Sequence, residues 1–458
     1  MSMTDHDRHA ALEWFRRNRA RSRALFATVA PAGFFERPIA LRHPVAFYEG
    51  HLPAFNYNTL LRRGLRRPPL DAELDALFER GIDPLDERAA AGCGPAVWPN
   101  RATVRAYADA ADHAVADAIL HADLDRDDDP VLRGGLVLFS ILEHEAMHHE
   151  TLLYMLHRLP YALKRAPAGS DTPPSAGGTP SAAAPPRGSV RIPAGVATLG
   201  ADPARVRFAW DNELPAHRVA VPAFSIDVAN VTNQDYLAFV EAGGYALPEY
   251  WDADGWTWRT RHGIQHPAFW TRRGGSWWWR GLFAERPLPP TWPVYVSHAE
   301  ASAYARWKKR RLPTEAEYHR AAFGTPGGGE RPHPWGDAPP DATRARFWTD
   351  GDACTAGGVV LPSFEPAPVG THAAGASAWG AHDLVGNGWE WTSSPFAGFA
   401  GFAPSAAYPG YSADFFDGRH YVMKGGSPAT QTAFLRRSWR NWFQSHYPYP
   451  YVAFRLAT

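Results

Sequence analysis

The amino-acid sequence predicts an α + (α+β) protein, in which a helical bundle is followed by an irregular α+β domain. Residues 1–163 carry long segments with apolar side chains at helical spacing. Residues 164–189 are rich in Pro, Ala, Gly and Ser and almost free of large apolar side chains, which predicts a flexible linker. Residues 190–458 combine short β-like runs with many turns, Trp and Gly, which indicates an α+β domain with long loops.

Four helical segments are predicted before the linker. They span residues 7–29, 43–64, 101–124 and 131–159, of which the last is the longest. Four long helices with intervening loops favour a four-helix bundle. Metal sites in such bundles are built from side chains that project inward from facing helices.

After the linker the pattern changes. A β-like run covers residues 217–232, and two helices stand out, at 232–244 and 297–311. Ser297 and Glu300 form a capping-box pattern at the start of the second helix.

Charge and cysteine content exclude several classes of protein. Lys+Arg and Asp+Glu both total 47, so no net field attracts nucleic acid or an anionic membrane. The two cysteines, Cys93 and Cys354, are far apart, which excludes a disulfide framework or a CxxC metal site.

The first residues lack the apolar core of a signal peptide, and no run approaches 18 apolar residues. We therefore expect a cytoplasmic protein.

The longest predicted helix carries the sequence His144-Glu145-x-x-His148, the spacing of helical zinc proteases. Residues i and i+4 lie on one face of a helix, so both imidazoles can share one metal ion. Neutral imidazole is a good ligand for Fe, Zn or Ni. One interpretation is therefore a zinc peptidase with Glu145 as general base.

A peptidase needs a third ligand downstream, and the sequence does not supply the metzincin one. Thr151 and Tyr154 occupy the Gly and final His positions of the extended motif. Upstream, His51 lies in a predicted bundle helix that could face the pair. Three histidines would leave open positions for substrate and O₂, which suits non-haem iron. Glu145 and Glu150 remain possible ligands or orienting groups.

These motifs resemble the ergothioneine sulfoxide synthase family (EgtB-type). Its members join a DinB-like four-helix bundle to a formylglycine-generating-enzyme-like domain, a fold also related to C-type lectins. True formylglycine-generating enzymes use a cysteine pair near the end of this fold. No cysteine follows Cys354, which argues against that activity. The resemblance is carried by "YEGH", "EHEAMHHETLLYML", "FAWDNELPAHRV", "VTNQDYLAFV", "RLPTEAEYHRAA", "DLVGNGWEWTSS", "VMKGGSPAT", "RRSWRNWF" and "YVAFRLA".

The resemblance implies Fe(II) as cofactor and O₂ as co-substrate, with His51, His144 and His148 as the metal ligands. It also implies hercynine, the trimethylated betaine of histidine, as the small-molecule substrate to which a sulfur nucleophile is joined at imidazole C2. Asn441 and Trp442, in the "RNW" motif, are then expected to contact hercynine. Aromatic rings also suit its trimethylammonium group.

A tyrosine from a late loop often serves this family as a proton or electron donor near O₂. Tyr408 and Tyr411, in "YPGYSADFF", are the candidates, and the sequence does not choose between them.

Three positions depart from the family pattern for a γ-glutamylcysteine donor. Phe443 stands where an Asp commonly follows the Asn-Trp pair, and Met147 stands where Gln is common. Only Arg101 remains of the arginines that precede the third bundle helix. A charged donor would need such groups, so their loss favours an uncharged donor.

The related selenoneine synthases (SenA-type) fit that expectation, because they join selenium from a selenosugar to hercynine. Aromatic residues at 256–260 and 275–281 could stack on a sugar. A sulfoxide synthase that uses γ-glutamylcysteine or cysteine is the alternative within the family. A non-catalytic binding module is a third reading, because this fold class also serves recognition.

Overall fold

The computed structural model describes residues 4–79, 97–167, 186–349, 354–355, 358–359 and 361–458. The chain forms two compact units. The first unit contains residues 1–171 together with 351–362 and 404–409, and the second contains the remainder.

The first unit is the predicted helical bundle. Among its described residues, four long helices and one short helix are present: α1 (Asp5–Ala27), α2 (Val45–Tyr57), α3 (Ala72–Leu77), α4 (Arg101–His121) and α5 (Leu136–Arg158). A π-helical segment, Asn58–Gly64, continues α2.

The ends of the long helices follow local chemistry. Thr4 and Asp7 form a capping box at the start of α1, and the Asn100 side chain accepts from the backbone N–H of Thr103 at the start of α4. Gly135 lies in the left-handed region, with φ of +72°, immediately before α5. The helix predicted from residue 131 therefore begins only at Leu136, because a left-handed residue interrupts the helical hydrogen-bond ladder.

The core of the bundle includes residues from a distant part of the chain. Leu60, Ile119 and Leu138 are fully buried within it. Ala407 is also fully buried in this cluster, and Tyr408 packs against it. Arg63, after α2, donates a side-chain hydrogen bond to the Ala407 carbonyl. The segment 404–409 is therefore part of the bundle unit.

The second unit is the predicted α+β domain. Its helices are α6 (Asn233–Glu241), α7 (Ala253–Arg261), α8 (His298–Trp307) and α9 (Glu315–Phe323). Its strands are β1 (Ser189–Ile192), β2 (Gly195–Leu199), β3 (His217–Val221), β4 (Phe224–Asp227), β5 (Trp270–Arg273), β6 (Ser276–Arg280), β7 (Glu285–Pro287), β10 (Trp389–Pro395), β11 (His420–Lys424), β12 (Asn441–Gln444) and β13 (Val452–Ala453). A separate two-stranded pair, β8 (Cys354–Thr355) and β9 (Gly358–Val359), falls within the residues grouped with the bundle.

The expectation of only two prominent helices after the linker was wrong, because α7 and α9 are also present. Both carry readable start signals. The Asp252 side chain caps α7, and Thr314 and Glu317 form a capping box at α9. Both helices are short and have short apolar stripes, so their capping residues are a stronger sequence signal for a helix than their hydrophobic periodicity.

The principal sheet of this unit has the strand order β12-β11-β10-β13. β11 pairs antiparallel with both β10 and β12, and β10 pairs parallel with β13. Trp389 and Trp391 on β10 are buried, as are Trp210, Trp270, Trp279 and Trp348 elsewhere in the unit. These tryptophans therefore serve packing, which the sequence left open.

Most of the predicted linker and Cys93 lie outside the described residues. At its described edges, Lys164 forms a β-bridge with Val29, and β1 begins at Ser189. None of the helices described is both long enough and apolar enough to cross a bilayer.

Candidate metal centre

Three histidines from two helices meet inside the bundle. His51 lies on α2, and His144 and His148 lie one turn apart on α5. Each offers a ligand atom within 4.8 Å of the others. The ring centroids of His51 lie 5.3 Å from His144 and 5.1 Å from His148. The structure therefore brings together the three residues that the sequence proposes as ligands.

The second ring nitrogen of His51 is held by the backbone. His51 Nδ1 lies 3.0 Å from the carbonyl oxygen of Phe78 and 2.9 Å from that of Glu79. Since a carbonyl only accepts, Nδ1 carries the proton and Nε2 keeps its lone pair. This is the arrangement by which proteins orient a metal-binding imidazole.

The ring nitrogens of His144 and His148 are less completely hydrogen-bonded. Their Nδ1 atoms are buried and have no hydrogen-bond partner among the described residues. An orphaned buried nitrogen is costly unless an ion or water engages the ring. The donor set, three nitrogens and no carboxylate, fits a borderline metal such as Fe(II) or Zn(II).

Burial keeps these imidazoles neutral. Desolvation lowers the pKa of His51, and it lowers the pKa values of His144 and His148 far more. Repulsion between the rings adds to the effect at His144, and His51 and Arg42 add to it at His148. Neutral imidazole is the form that binds a metal, so the site is prepared for a cation without losing protons first.

Aromatic rings line the histidines. Phe55 stacks on His144 with ring centroids 3.4 Å apart, and Phe47 stacks on His51 at 5.0 Å. The ring of Tyr48 lies 5.9 Å from that of His148. These rings were not among the predicted site residues, although Phe47 and Phe55 lie four residues before and after His51 and so share its helix face.

Tyr408 also lies beside the centre. Its ring centroid is 6.1 Å from that of His144 and 5.2 Å from that of Phe55. Tyr411 instead belongs to the α+β unit, where it stacks on Trp210 at 3.9 Å. Of the two candidate tyrosines, Tyr408 is therefore the one that the structure places next to a histidine of the cluster.

Glu145 does not join the cluster, and neither does Glu150, because no carboxylate among the described residues belongs to the metal-binding group. The possibility that either is a ligand is therefore wrong. The carboxylate of Glu145 accepts hydrogen bonds from Arg19, Ser22 and Asn56. Its engagement with three donors argues against the general-base role of a zinc peptidase.

Two further histidines, His149 and His157, lie on α5. Both are buried. The Nε2 atom of His149 lies 2.8 Å from the Ser22 hydroxyl.

Two further predicted substrate contacts lie in the bundle unit. Met147 is half-buried on α5. The guanidinium of Arg101 pairs with Glu49 at 2.8 Å and donates to the carbonyl oxygens of Phe26 and Val29. Most of its donors therefore serve the protein itself.

The predicted contacts Asn441, Trp442 and Phe443 lie on β12 of the other unit, and all three are half-buried. Asn441 Oδ1 accepts from the Trp442 backbone N–H at 2.8 Å, while Trp442 stacks on Phe396 at 4.1 Å. Successive strand residues face opposite sides, so Asn441 and Phe443 share one face. Their role toward substrate stays a prediction.

Comparison with known proteins supports both units. Residues 15–152 match the DinB superfamily, and residues 176–458 match the sulfatase-modifying factor enzyme 1-like domain. The hercynine oxygenase of Mycolicibacterium thermoresistibile is 43% identical over 251 residues, which cover 53% of this chain and 52% of that protein. The hercynine oxygenase of Mycolicibacterium smegmatis is 37% identical over 323 residues, which cover 69% of each chain.

A fungal relative matches over more of this chain. Ergothioneine biosynthesis protein 1 of Neurospora crassa is 28% identical over 494 aligned positions, which cover 92% of this chain and 54% of that protein. The chain thus spans about half the length of several of the curated relatives it matches. With a DinB-type helical domain followed by a sulfatase-modifying factor enzyme 1-like domain, the chain belongs to the EgtB-like family.

Proposed function

We propose that this protein is an O₂-dependent, iron-using oxidoreductase that joins a chalcogen nucleophile to imidazole C2 of hercynine. The observation that carries the proposal is the convergence of three neutral imidazoles, those of the buried His51 and His144 and the half-buried His148, with Tyr408 alongside. The names of the relatives, hercynine oxygenase and ergothioneine biosynthesis protein 1, support the substrate class.

His51, His144 and His148 would hold the metal. When bound, Fe(II) would supply Lewis acidity and would relay to O₂ the electrons that the two substrates lose. In the proposed reaction the C2–H bond of hercynine and the S–H bond of a thiol donor break, and a C–S bond forms. One oxygen atom of O₂ is transferred to sulfur and the other leaves as water with the two hydrogens.

The residues around the cluster would handle protons and water. The Tyr408 hydroxyl would act as the proton donor, because this residue is the tyrosine placed beside His144. Phe47 and Phe55 would exclude water from the histidines, which strengthens electrostatic interactions there. Asn441 and Trp442 are proposed as contacts to hercynine, on the strength of the family motif.

The relatives favour sulfur as the chalcogen, since those reported above are named for hercynine or ergothioneine. The sulfoxide synthase reading, with γ-glutamylcysteine or cysteine as donor, is therefore the primary one. The selenosugar reading rests on Phe443, Met147 and the arginine that is missing before α4. The ion pair of Arg101 with Glu49 is consistent with a donor that needs no arginine clamp.

A donor competition tests the proposal. The protein, purified without oxygen and reconstituted with Fe(II), is mixed with hercynine, air and one of γ-glutamylcysteine, cysteine or a selenosugar. Mass spectrometry should show a C2-substituted hercynine that requires O₂ and is absent from the His144→Ala variant. A product with the selenosugar alone would reverse the order of the two donor readings. No C2-substituted product with any donor would refute the proposed function.

A further inference from the structure

The carboxylate at the centre of the HExxH motif connects several bundle helices. Glu145 is fully buried on α5. Its Oε1 atom accepts from Arg19 at 2.7 Å and from Ser22 at 2.6 Å, both on α1. Its Oε2 atom accepts from Asn56 Nδ2 on α2 at 2.8 Å. Arg19 also forms an ion pair with Asp112 on α4 at 2.6 Å.

One of these links joins the two helices that carry the histidines. Asn56 lies five residues after His51 on α2, and Glu145 follows His144 directly on α5. The neighbouring residues, Phe55 and His144, make the stacked contact at 3.4 Å. The hydrogen bond and the ring stack therefore connect α2 and α5 at adjacent positions.

We propose that Glu145 and Asn56 are positioning residues for the metal centre. Their hydrogen bond would fix the register of α2 against α5, and so the separation of His51 from His144 and His148. Such a role explains why an HExxH sequence carries a glutamate that does not belong to the metal-binding group. The proposal rests on the metal centre of the proposed function and deepens it.

Cobalt(II) binding to the metal-free full-length protein measures this role without any activity assay, because its visible absorption reports ligand number and geometry. Asn56→Ala removes the link to α2 and keeps the Arg19–Glu145 ion pair. We expect its cobalt(II) affinity to fall roughly tenfold, with a changed visible spectrum, as for other residues that orient metal ligands.

Ser22→Ala is the matched control. Ser22 is as buried as Asn56 and bonds the same carboxylate, but it lies on α1. This variant should keep the parent cobalt(II) affinity and spectrum, even if its thermal stability falls. Equal losses of affinity in the two variants would show a merely structural role and overturn the proposal.

An exchange of the two side chains provides the rescue. In the double variant Asn56→Asp, Glu145→Gln, the new amide can donate to the new carboxylate while its oxygen still accepts from Arg19 and Ser22. We expect cobalt(II) affinity within about threefold of the parent, whereas Asn56→Asp alone places two carboxylates together and should bind tenfold more weakly or worse.

The outcomes separate the two claims. If the parent fails to bind cobalt(II), the metal centre itself is refuted. If the parent binds but Asn56→Ala binds equally well with an unchanged spectrum, only the positioning role fails. Should Asn56→Ala not fold, the double exchange decides, since a tenfold loss in a folded double variant would overturn the proposal.

Discussion

Tyr408 and Tyr411 are three residues apart, yet their surroundings differ. Tyr408 lies against the bundle core beside His144, whereas Tyr411 is 8% exposed and stacks on Trp210 in the α+β unit. A hydroxyl near a reacting centre can transfer a proton, and a ring stacked on an indole contributes mainly buried area.

The Tyr408→Phe variant should therefore lose turnover by on the order of a hundredfold while keeping its metal affinity, because the phenyl ring preserves the packing but has no proton to give. Product formation under saturating hercynine and a cobalt(II) titration measure the two quantities. Tyr411→Phe is the matched control and should retain most of the parent turnover. A larger loss in the Tyr411 variant than in the Tyr408 variant would reverse the assignment.

Spacing predicted that His144 and His148 share one helix face, because i,i+4 periodicity is a local property. The third ligand, His51, was expected from the bundle and from the family resemblance, since it lies on another helix. The sequence could not predict that the carbonyls of Phe78 and Glu79 orient His51, because that contact joins α2 to a segment 27 and 28 residues away. For Glu145 it left three roles open, those of general base, metal ligand and orienting group. The partners of Glu145 lie 89 to 126 positions away in the chain, so local spacing carries no signal of them.

At the scale of elements, α2 is a helix that packs closely against its neighbours on all sides. Every residue from Val45 to Tyr57 is buried. Gly50 costs the helix about 1 kcal/mol relative to Ala. A Cβ at this position would lie 2.5 Å from ring atoms of Phe78. Gly50 therefore leaves room for the ring of Phe78, whose backbone carbonyl accepts a hydrogen bond from His51 Nδ1.

Gly50→Ala should therefore weaken metal binding despite the better helix propensity of alanine. The new methyl group would displace Phe78, and the hydrogen bond from His51 Nδ1 would lengthen. We expect roughly a tenfold loss of cobalt(II) affinity and a lower melting temperature.

Gly64→Ala is a suitable control for Gly50→Ala. Its Cβ would meet Leu132 at 3.3 Å and Val137 at 3.4 Å, so the neighbours need to move only slightly. This variant should bind cobalt(II) like the parent. A Gly50→Ala protein with unchanged affinity would show that Phe78 does not control His51.

The helices themselves were largely predictable. The stretches predicted at 101–124 and 131–159 correspond to α4 and α5. The α+β unit was harder, because its strands are short and register depends on partners far along the chain, as in the pairing of Trp389 with Val452.

At the scale of the whole molecule, buried charge makes stability depend on pH. Asp383 lies in the α+β unit, is 5% exposed, and accepts from the Gly370 backbone N–H at 2.6 Å. Burial raises the pKa of Asp383 to about 6. The folded protein therefore binds a proton here more tightly than the unfolded chain does between pH 4 and 6, so this residue lowers stability as the pH rises through that window.

Asp383→Asn should remove this loss of stability at high pH. Asparagine keeps an acceptor for Gly370 and tolerates the left-handed backbone at this position, where φ is +54°. The variant should be more stable than the parent at pH 7.5 by on the order of 2 kcal/mol, with a much smaller difference at pH 4.5. Urea unfolding at the two pH values measures the difference. A pH-independent gain in the Asp383 variant would contradict the explanation.

Segment 404–409 has a consequence for how the protein is made. Tyr408 follows His148 by 260 positions in the chain. At ribosomal speeds of roughly 5 to 20 residues per second, tens of seconds separate the emergence of the last histidine from that of the tyrosine. Under the proposed function, the three histidines of a nascent bundle therefore emerge well before the phenol, and a polypeptide ending at the linker would lack both the proposed proton donor and the core residue Ala407.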